Sequence, residues 1–151
     1  MGTVLLTRET APHFTDRLAK IGPDARGLWG ALDPPNLMAH LRRTFEISLG
    51  EVDLPDESNI LMRTVMKWLA FHVIPWPKGK IKASASFTPE AKGTFEEERD
   101  RLLAAIERFV AAQEADPQRK VRSPVFGLMT LRYWGRVHGK HLDHHLRQHG
   151  V

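Results

Sequence analysis

No cysteine occurs among the 151 residues. That absence excludes disulfides, zinc ribbons, thiolate metal sites, iron–sulfur clusters and a cysteine nucleophile, so any metal here must be held by histidine and carboxylate. Long hydrophobic runs are missing too. The longest apolar stretch, residues 65–77, is interrupted by Lys67 and His72 and is too short to cross about 30 Å of hydrocarbon. No membrane partner is expected. Charge of one sign is also in short supply. The formal net charge is only +4, from 22 basic against 18 acidic residues. The bases are scattered over Arg42-Arg43, the lysines at 78, 80 and 82, and residues 119–122, which makes nucleic-acid binding the weakest reading. The first residues, MGTVLLTRETAPHF, carry neither a basic leader with an apolar core nor the myristoylation pattern, so the cytoplasm is the expected compartment. No internal repeat or low-complexity segment appears.

What is present is an ordinary globular composition, 42% hydrophobic and 26% charged, in a chain long enough for one domain over residues 1–151 with its own core. Helix signals dominate. A short helix is expected from about Thr10 to Ile21, before Gly22-Pro23. Asp33 reads as the N-cap of a second helix with Pro34 at its first position, and Leu37, Leu41, Thr44, Phe45 and Ser48 share one face before Gly50. A third begins near Asp56 to Ser58 and carries Leu61, Val65, Trp68 and His72 on one stripe, ending at Pro75-Trp76-Pro77. Residues 75–93 read as an extended connection in which Lys80 to Ser86 alternates only weakly. A capping box, Thr94-x-x-Glu97, opens a helix that runs to Ala115 with Leu102, Leu103, Ile106, Phe109 and Val110 on its apolar face. A second long loop covers Asp116 to Met129. Thr130 then caps a last helix through about His149, with Gly150 as its stop. The expected fold is all-α: a four-helix bundle with a short extra N-terminal helix and long crossover loops.

Five of the eight histidines, His138, His141, His144, His145 and His149, fall in the last fourteen residues. At about 100° per residue, and with His138 at zero, His141, His145 and His149 lie at about 300°, 340° and 20°, within one arc of about 80°. His144 points to its edge. The HxxxH pair His141/His145 stacks two imidazoles one turn apart, close enough to converge on one ion. Two ligands hold a metal poorly, so a third is expected from another helix, with His13, His40 and His72 as the candidates. His40 lies at the margin of its apolar stripe, where it can turn into a cavity. His72, squarely on a stripe, reads as a core histidine bonded to a carbonyl, and His13 as a surface residue. Packed histidines without metal are the alternative throughout.

The stretch SPVFGLMTLRYWGRVHGKHLDHHLRQHGV, together with DPPNLMAHLRRTFE, resembles the DinB/YfiT superfamily of metalloenzymes, and within it a bacterial subgroup whose chains end in HxxHHxxQ, here His141 to Gln148. The resemblance covers about residues 30–151. It implies a four-helix bundle, often dimeric, with one divalent ion such as nickel or zinc on three histidines. Carried over by position, it implies His40, His141 and His145 as ligands. Some relatives are S-transferases that use a low-molecular-weight thiol. One departure stands out: His149 occupies a position where an aromatic residue is expected.

Three neutral imidazoles leave a divalent ion its full charge and an open position, which suits hydrolysis or thiol transfer of a small-molecule substrate. Asn36 and Gln148 are placed to orient ligands or water, and Trp134 to pack in the core or wall the site. Gly135 and Gly139, one turn apart inside a helix, suggest close approach of another helix or of a second subunit, hence a homodimer. The lysines at 78, 80 and 82 could meet an anionic group or simply face solvent. The leading expectation is a metal-dependent transferase or hydrolase. The alternative is a non-catalytic helical bundle serving interaction or structure.

Overall fold

A computed structural model describes residues 3–79 and 85–151 of the chain. Four α-helices follow in order: α1 (Ala11–Leu18), α2 (Pro34–Ser48), α3 (Phe95–Ala115) and α4 (Leu131–Gln148). Between α2 and α3 runs a fifth helical segment, residues 60–73, made largely of wide π-type turns at Met62–Met66 and Leu69–Val73. The helix boundaries follow local chemistry. The Asp33 side chain accepts from the Asn36 backbone N–H, with Pro at the first turn of α2. Thr94 and Glu97 close the reciprocal capping box of α3, and Thr130 accepts from the Tyr133 N–H at the start of α4. Gly50 and Gly150 follow α2 and α4 with φ of +73° and +71°, a conformation that costs glycine nothing.

The apolar faces of α2, α3 and α4 meet in one core around Leu41, Phe45, Leu102, Phe109, Leu142 and Leu146, which α1 joins through Phe14 and Leu18. Phe45 and Phe109 meet edge-on, their ring centroids 5.7 Å apart. On the α2–α3 flank, fully buried Glu98 receives Arg101 at 2.7 Å and lies 3.4 Å from Arg42.

Three expectations need correction. The class is mostly helical but not purely so, because a two-stranded antiparallel hairpin lies within the expected loop. Its strands are β1 (Lys120–Ser123) and β2 (Gly127–Thr130), paired from Lys120↔Thr130 to Ser123↔Gly127. Its turn is closed by the Ser123 hydroxyl, which accepts from the N–H groups of Val125 and Phe126, and by Gly127 at φ +74°. Proline and glycine there mark a tight hairpin turn rather than a loop.

Second, the stripe expected to bury the third helix is turned outward. Leu61, Val65 and Trp68 are each more than half exposed, His72 is exposed, and Phe71 alone is buried against Phe126, Tyr133 and Trp76. The wide turns change the angular step between residues, so spacing counted at 3.6 per turn assigns the wrong face. Third, Gly135 and Gly139 accommodate the chain itself. Leu6 N–H donates to the Gly135 carbonyl, and a Cβ on Gly139 would meet the Val4 carbonyl. Residues 4–6 occupy the groove that another helix or a second subunit was expected to fill. The alternation at 80–84 lies outside the described residues, while Ala85–Phe87 forms a single 3₁₀ turn.

Candidate metal centre

His40 projects from the middle of α2, and His141 and His145 from successive turns of α4. All three are buried, and one ligand-capable nitrogen from each lies within 4.8 Å of the other two. His40 Nε2 stands 2.9 Å from His141 Nε2 and 3.2 Å from His145 Nε2. Two nitrogens each about 2.0–2.1 Å from a shared ion would be separated by about 2.9 Å at a right angle and about 3.4 Å at the tetrahedral angle. The observed spacings fall in that range.

The outer nitrogens decide what the inner ones carry. His40 Nδ1 lies 2.6 Å from the Phe87 carbonyl, which can only accept, so Nδ1 holds the proton and Nε2 a bare lone pair. His145 Nδ1 lies 2.7 Å from Gln148 Oε1, whose amide is oriented by donation from Nε2 to the Trp29 carbonyl at 2.7 Å. His145 Nδ1 therefore donates as well. The Thr44 hydroxyl donates to the Leu41 carbonyl at 2.7 Å and can accept from His141 Nδ1 at 3.4 Å. The lone pairs of His40 and His145 Nε2 thus face each other 3.2 Å apart in a buried space with no hydrogen between them, and His141 Nε2 lies beside them. Neutral imidazoles in that arrangement repel, and a cation among them removes the conflict.

A proton is poorly suited to that role. Burial lowers the affinity of all three rings for a proton, and each neighbouring imidazole lowers it further. His145 is pushed down to about 3, chiefly by desolvation and then by His40, and His141 lies well below its ordinary value for the same reasons. His40 is also lowered by burial, partly offset by the Phe87 carbonyl. Near neutral pH the cluster is three free bases, the protonation state that a metal ion requires.

The remaining histidines separate clearly. His138 is fully buried but outside the cluster. It stacks on Phe45 at 3.9 Å and beside Trp134 at 5.6 Å, donates from Nε2 to Ser48 Oγ at 2.8 Å, and is pushed down to about 3 by desolvation. His13 is exposed beside Arg17, as expected of a surface residue. His72, expected in the core, is exposed beside the Tyr133 hydroxyl. His149 Nδ1 donates to the His145 carbonyl one turn back. Half-buried His144 sits at the rim between Trp29 at 6.0 Å and Trp76 at 5.7 Å.

Trp134 is a core residue, its indole donating to the Val121 carbonyl. Asn36 does not reach the cluster. Its side chain accepts from the Ala91 N–H and ties the 85–93 connection to α2, the same connection that delivers the Phe87 carbonyl. Thr44, Phe87 and Trp76 were not foreseen. Thr44 was legible, being one turn after His40 on the same face. A carbonyl 47 residues from its partner is not. Trp76 packs 5.8 Å from His141 and is held by its indole N–H on the Ala70 carbonyl, and the flanking Pro75 and Pro77 hinted at so fixed a position.

The fold and cluster together define a mostly helical protein with a buried trio of histidines that can hold a divalent metal. Residues 8–149 match the family described as "Protein of unknown function (DUF1569)", and the chain belongs to it. No curated protein and no solved structure matches the chain significantly. Among the described residues no helix is long and apolar enough to cross a membrane.

Proposed function

We propose that the chain is a single-domain, DinB/YfiT-like four-helix bundle of bacterial, cytoplasmic type that holds one divalent ion, nickel or zinc, on His40, His141 and His145. The observation that carries this reading is the convergence of three buried Nε2 atoms, with the lone pairs of His40 and His145 directed at each other, while Phe87, Gln148 and Thr44 engage the outer nitrogens. Packed histidines serving only structure would pair through N–H···N contacts, which the Phe87 and Gln148 acceptors forbid between His40 and His145.

Bound on three neutral ligands, such an ion supplies Lewis-acid chemistry, lowering the pKa of a water or a thiol toward neutrality. The protein's own groups hold the rings in register. The Phe87 carbonyl and Gln148 fix the tautomers of His40 and His145, Thr44 braces His141, and Trp29 and Trp76 exclude water from the flank of α4. We assign the activity to a metal-dependent transferase or hydrolase acting on a small molecule, with a low-molecular-weight thiol as the co-substrate in the transferase case. A homodimer belongs to the same reading, no longer argued from the glycine pair.

The test is metal content of untagged protein after reconstitution with nickel or zinc. One ion per chain is expected in the wild type and none in His141→Ala. A folded wild type that retains no metal, or a His141→Ala variant that binds it unchanged, overturns the proposal in favour of a non-catalytic bundle.

A further inference from the structure

Three glutamates stand in the first turn of α3, where negative charge suits the helix dipole. Glu96 and Glu97 are exposed, whereas Glu98 has no exposed surface at all. A buried ion pair is a poor source of stability, because desolvation offsets much of its attraction. Its use here lies in what it holds. Arg101 donates to Glu98 Oε1 at 2.7 Å, and Arg42 of α2 stands 3.4 Å from Oε2. The other donor to Oε1 belongs to neither helix: it is the backbone N–H of Lys92, at 3.1 Å.

Lys92 lies in a strap, residues 88–93, that forms neither helix nor strand. The strap is fastened a second time one residue earlier, where the Ala91 N–H donates to Asn36 Oδ1 at 2.8 Å. Immediately before the strap comes Phe87, whose carbonyl meets His40 Nδ1 at 2.6 Å. Asn36 precedes His40 by one turn of α2 and Arg42 follows it by two residues, so both fastenings refer the strap to the helix that carries His40. His141 and His145 share a helix and keep their mutual spacing without help. His40 comes alone, and its proton sits on Nδ1 because the Phe87 carbonyl can only accept. With that carbonyl withdrawn the proton can occupy Nε2, which stands 2.9 Å from His141 Nε2 and 3.2 Å from His145 Nε2. In that tautomer His40 donates to a neighbouring ring, and the lone pair that an ion would take is gone. The strap thus selects an open trio over one closed on itself.

We propose that Glu98 and Asn36 are positioning residues of the histidine centre, holding the strap so that Phe87 keeps His40 in its Nδ1–H tautomer. The consequence for metal affinity rests on the reading of the trio as a metal site, whereas the tautomer does not. Two-bond proton–nitrogen correlation on the isotope-labelled, metal-free full chain near neutral pH reads the tautomer directly, with His40 assigned by the loss of its signals in His40→Ala. The wild type is expected to show the Nδ1–H form. Asn36→Leu and Glu98→Leu are each expected to mix in the Nε2–H form, and the double variant to favour it. Asn36→Asp keeps the acceptor for Ala91 and is expected to keep the wild-type spectrum.

Zinc affinity, read by chelator competition, should fall about tenfold in each single variant and about a hundredfold in the double, and Asn36→Asp should stay within about twofold of the wild type. Far-UV circular dichroism and urea titration follow folding separately. Should Glu98→Leu fail to fold, Asn36→Leu set against Asn36→Asp decides the matter alone. Folded single variants that keep the wild-type His40 spectrum, whatever stability they lose, overturn the proposal and leave both residues a purely structural part. A wild type in the Nε2–H form, or an Asn36→Asp that behaves as Asn36→Leu does, overturns it as well. Wild-type protein that binds no zinc overturns the metal reading instead, and the ring spectra still decide whether Glu98 and Asn36 place His40.

Discussion

The depressed proton affinities at the histidine cluster predict how metal binding responds to acid. Three histidines of ordinary pKa, about 6.5, would each be about three-quarters protonated at pH 6, and every ligand must lose its proton before it can bind. Between pH 7.5 and pH 6 such a site would weaken about fiftyfold, the product of three factors each close to four. Here His145 titrates near 3 and His141 well below its ordinary value, because burial and mutual repulsion disfavour the charged rings. Those two contribute almost nothing over this interval. His40, lowered less clearly, sets the ceiling. The zinc dissociation constant, measured by competition with a chromophoric chelator, should therefore change by less than about fivefold between pH 7.5 and pH 6. Circular dichroism at each pH establishes that the chain is folded. A fall approaching fiftyfold in folded protein would refute the reasoning, since the cluster would then be solvated and its lone pairs not forced together.

Three further outcomes follow from the same coordinates. His138 is pushed down to about 3 in the folded chain against about 6.5 unfolded, so below pH 6.5 the unfolded state binds the extra proton and stability falls until the folded pKa is reached. Its share is about 2 kcal/mol by pH 5, and His138→Phe should remove that part of the acid sensitivity in urea titrations of metal-free protein at pH 7 and pH 5. Gln148→Leu frees the His145 ring from its outer acceptor and should weaken zinc binding about ten- to a hundredfold with the fold intact, as read by the same chelator competition. Thr94→Ala removes one half of the α3 capping box and should cost about 1 kcal/mol of unfolding free energy in urea titrations; no change would show that the helix end is held by tertiary packing instead.

Much of the helical frame can be read locally. The caps at Asp33, Thr94 and Thr130 and the glycines at 50 and 150 act through bonds within three or four residues, so composition places them where they occur. The pairing of His141 with His145 follows in the same way from the helical repeat. The hairpin at 120–130 escaped because its strands are four residues long and its turn residues equally mark a loop. The third helix was placed correctly in the chain but turned the wrong way, since wide turns shift every side chain around the axis by an amount that no residue announces.

The sequence alone determines that any metal must sit on imidazole or carboxylate, because no thiol exists, and that two imidazoles share one face of the last helix. Tertiary structure alone decides that His40 joins them while His138, in the same arc, is withdrawn to Ser48 and the Phe45 ring. The reason is physical. Helical periodicity gives direction within one element, but which nitrogen is left bare depends on acceptors such as the Phe87 carbonyl and Gln148, and one of these arrives from a distant part of the chain.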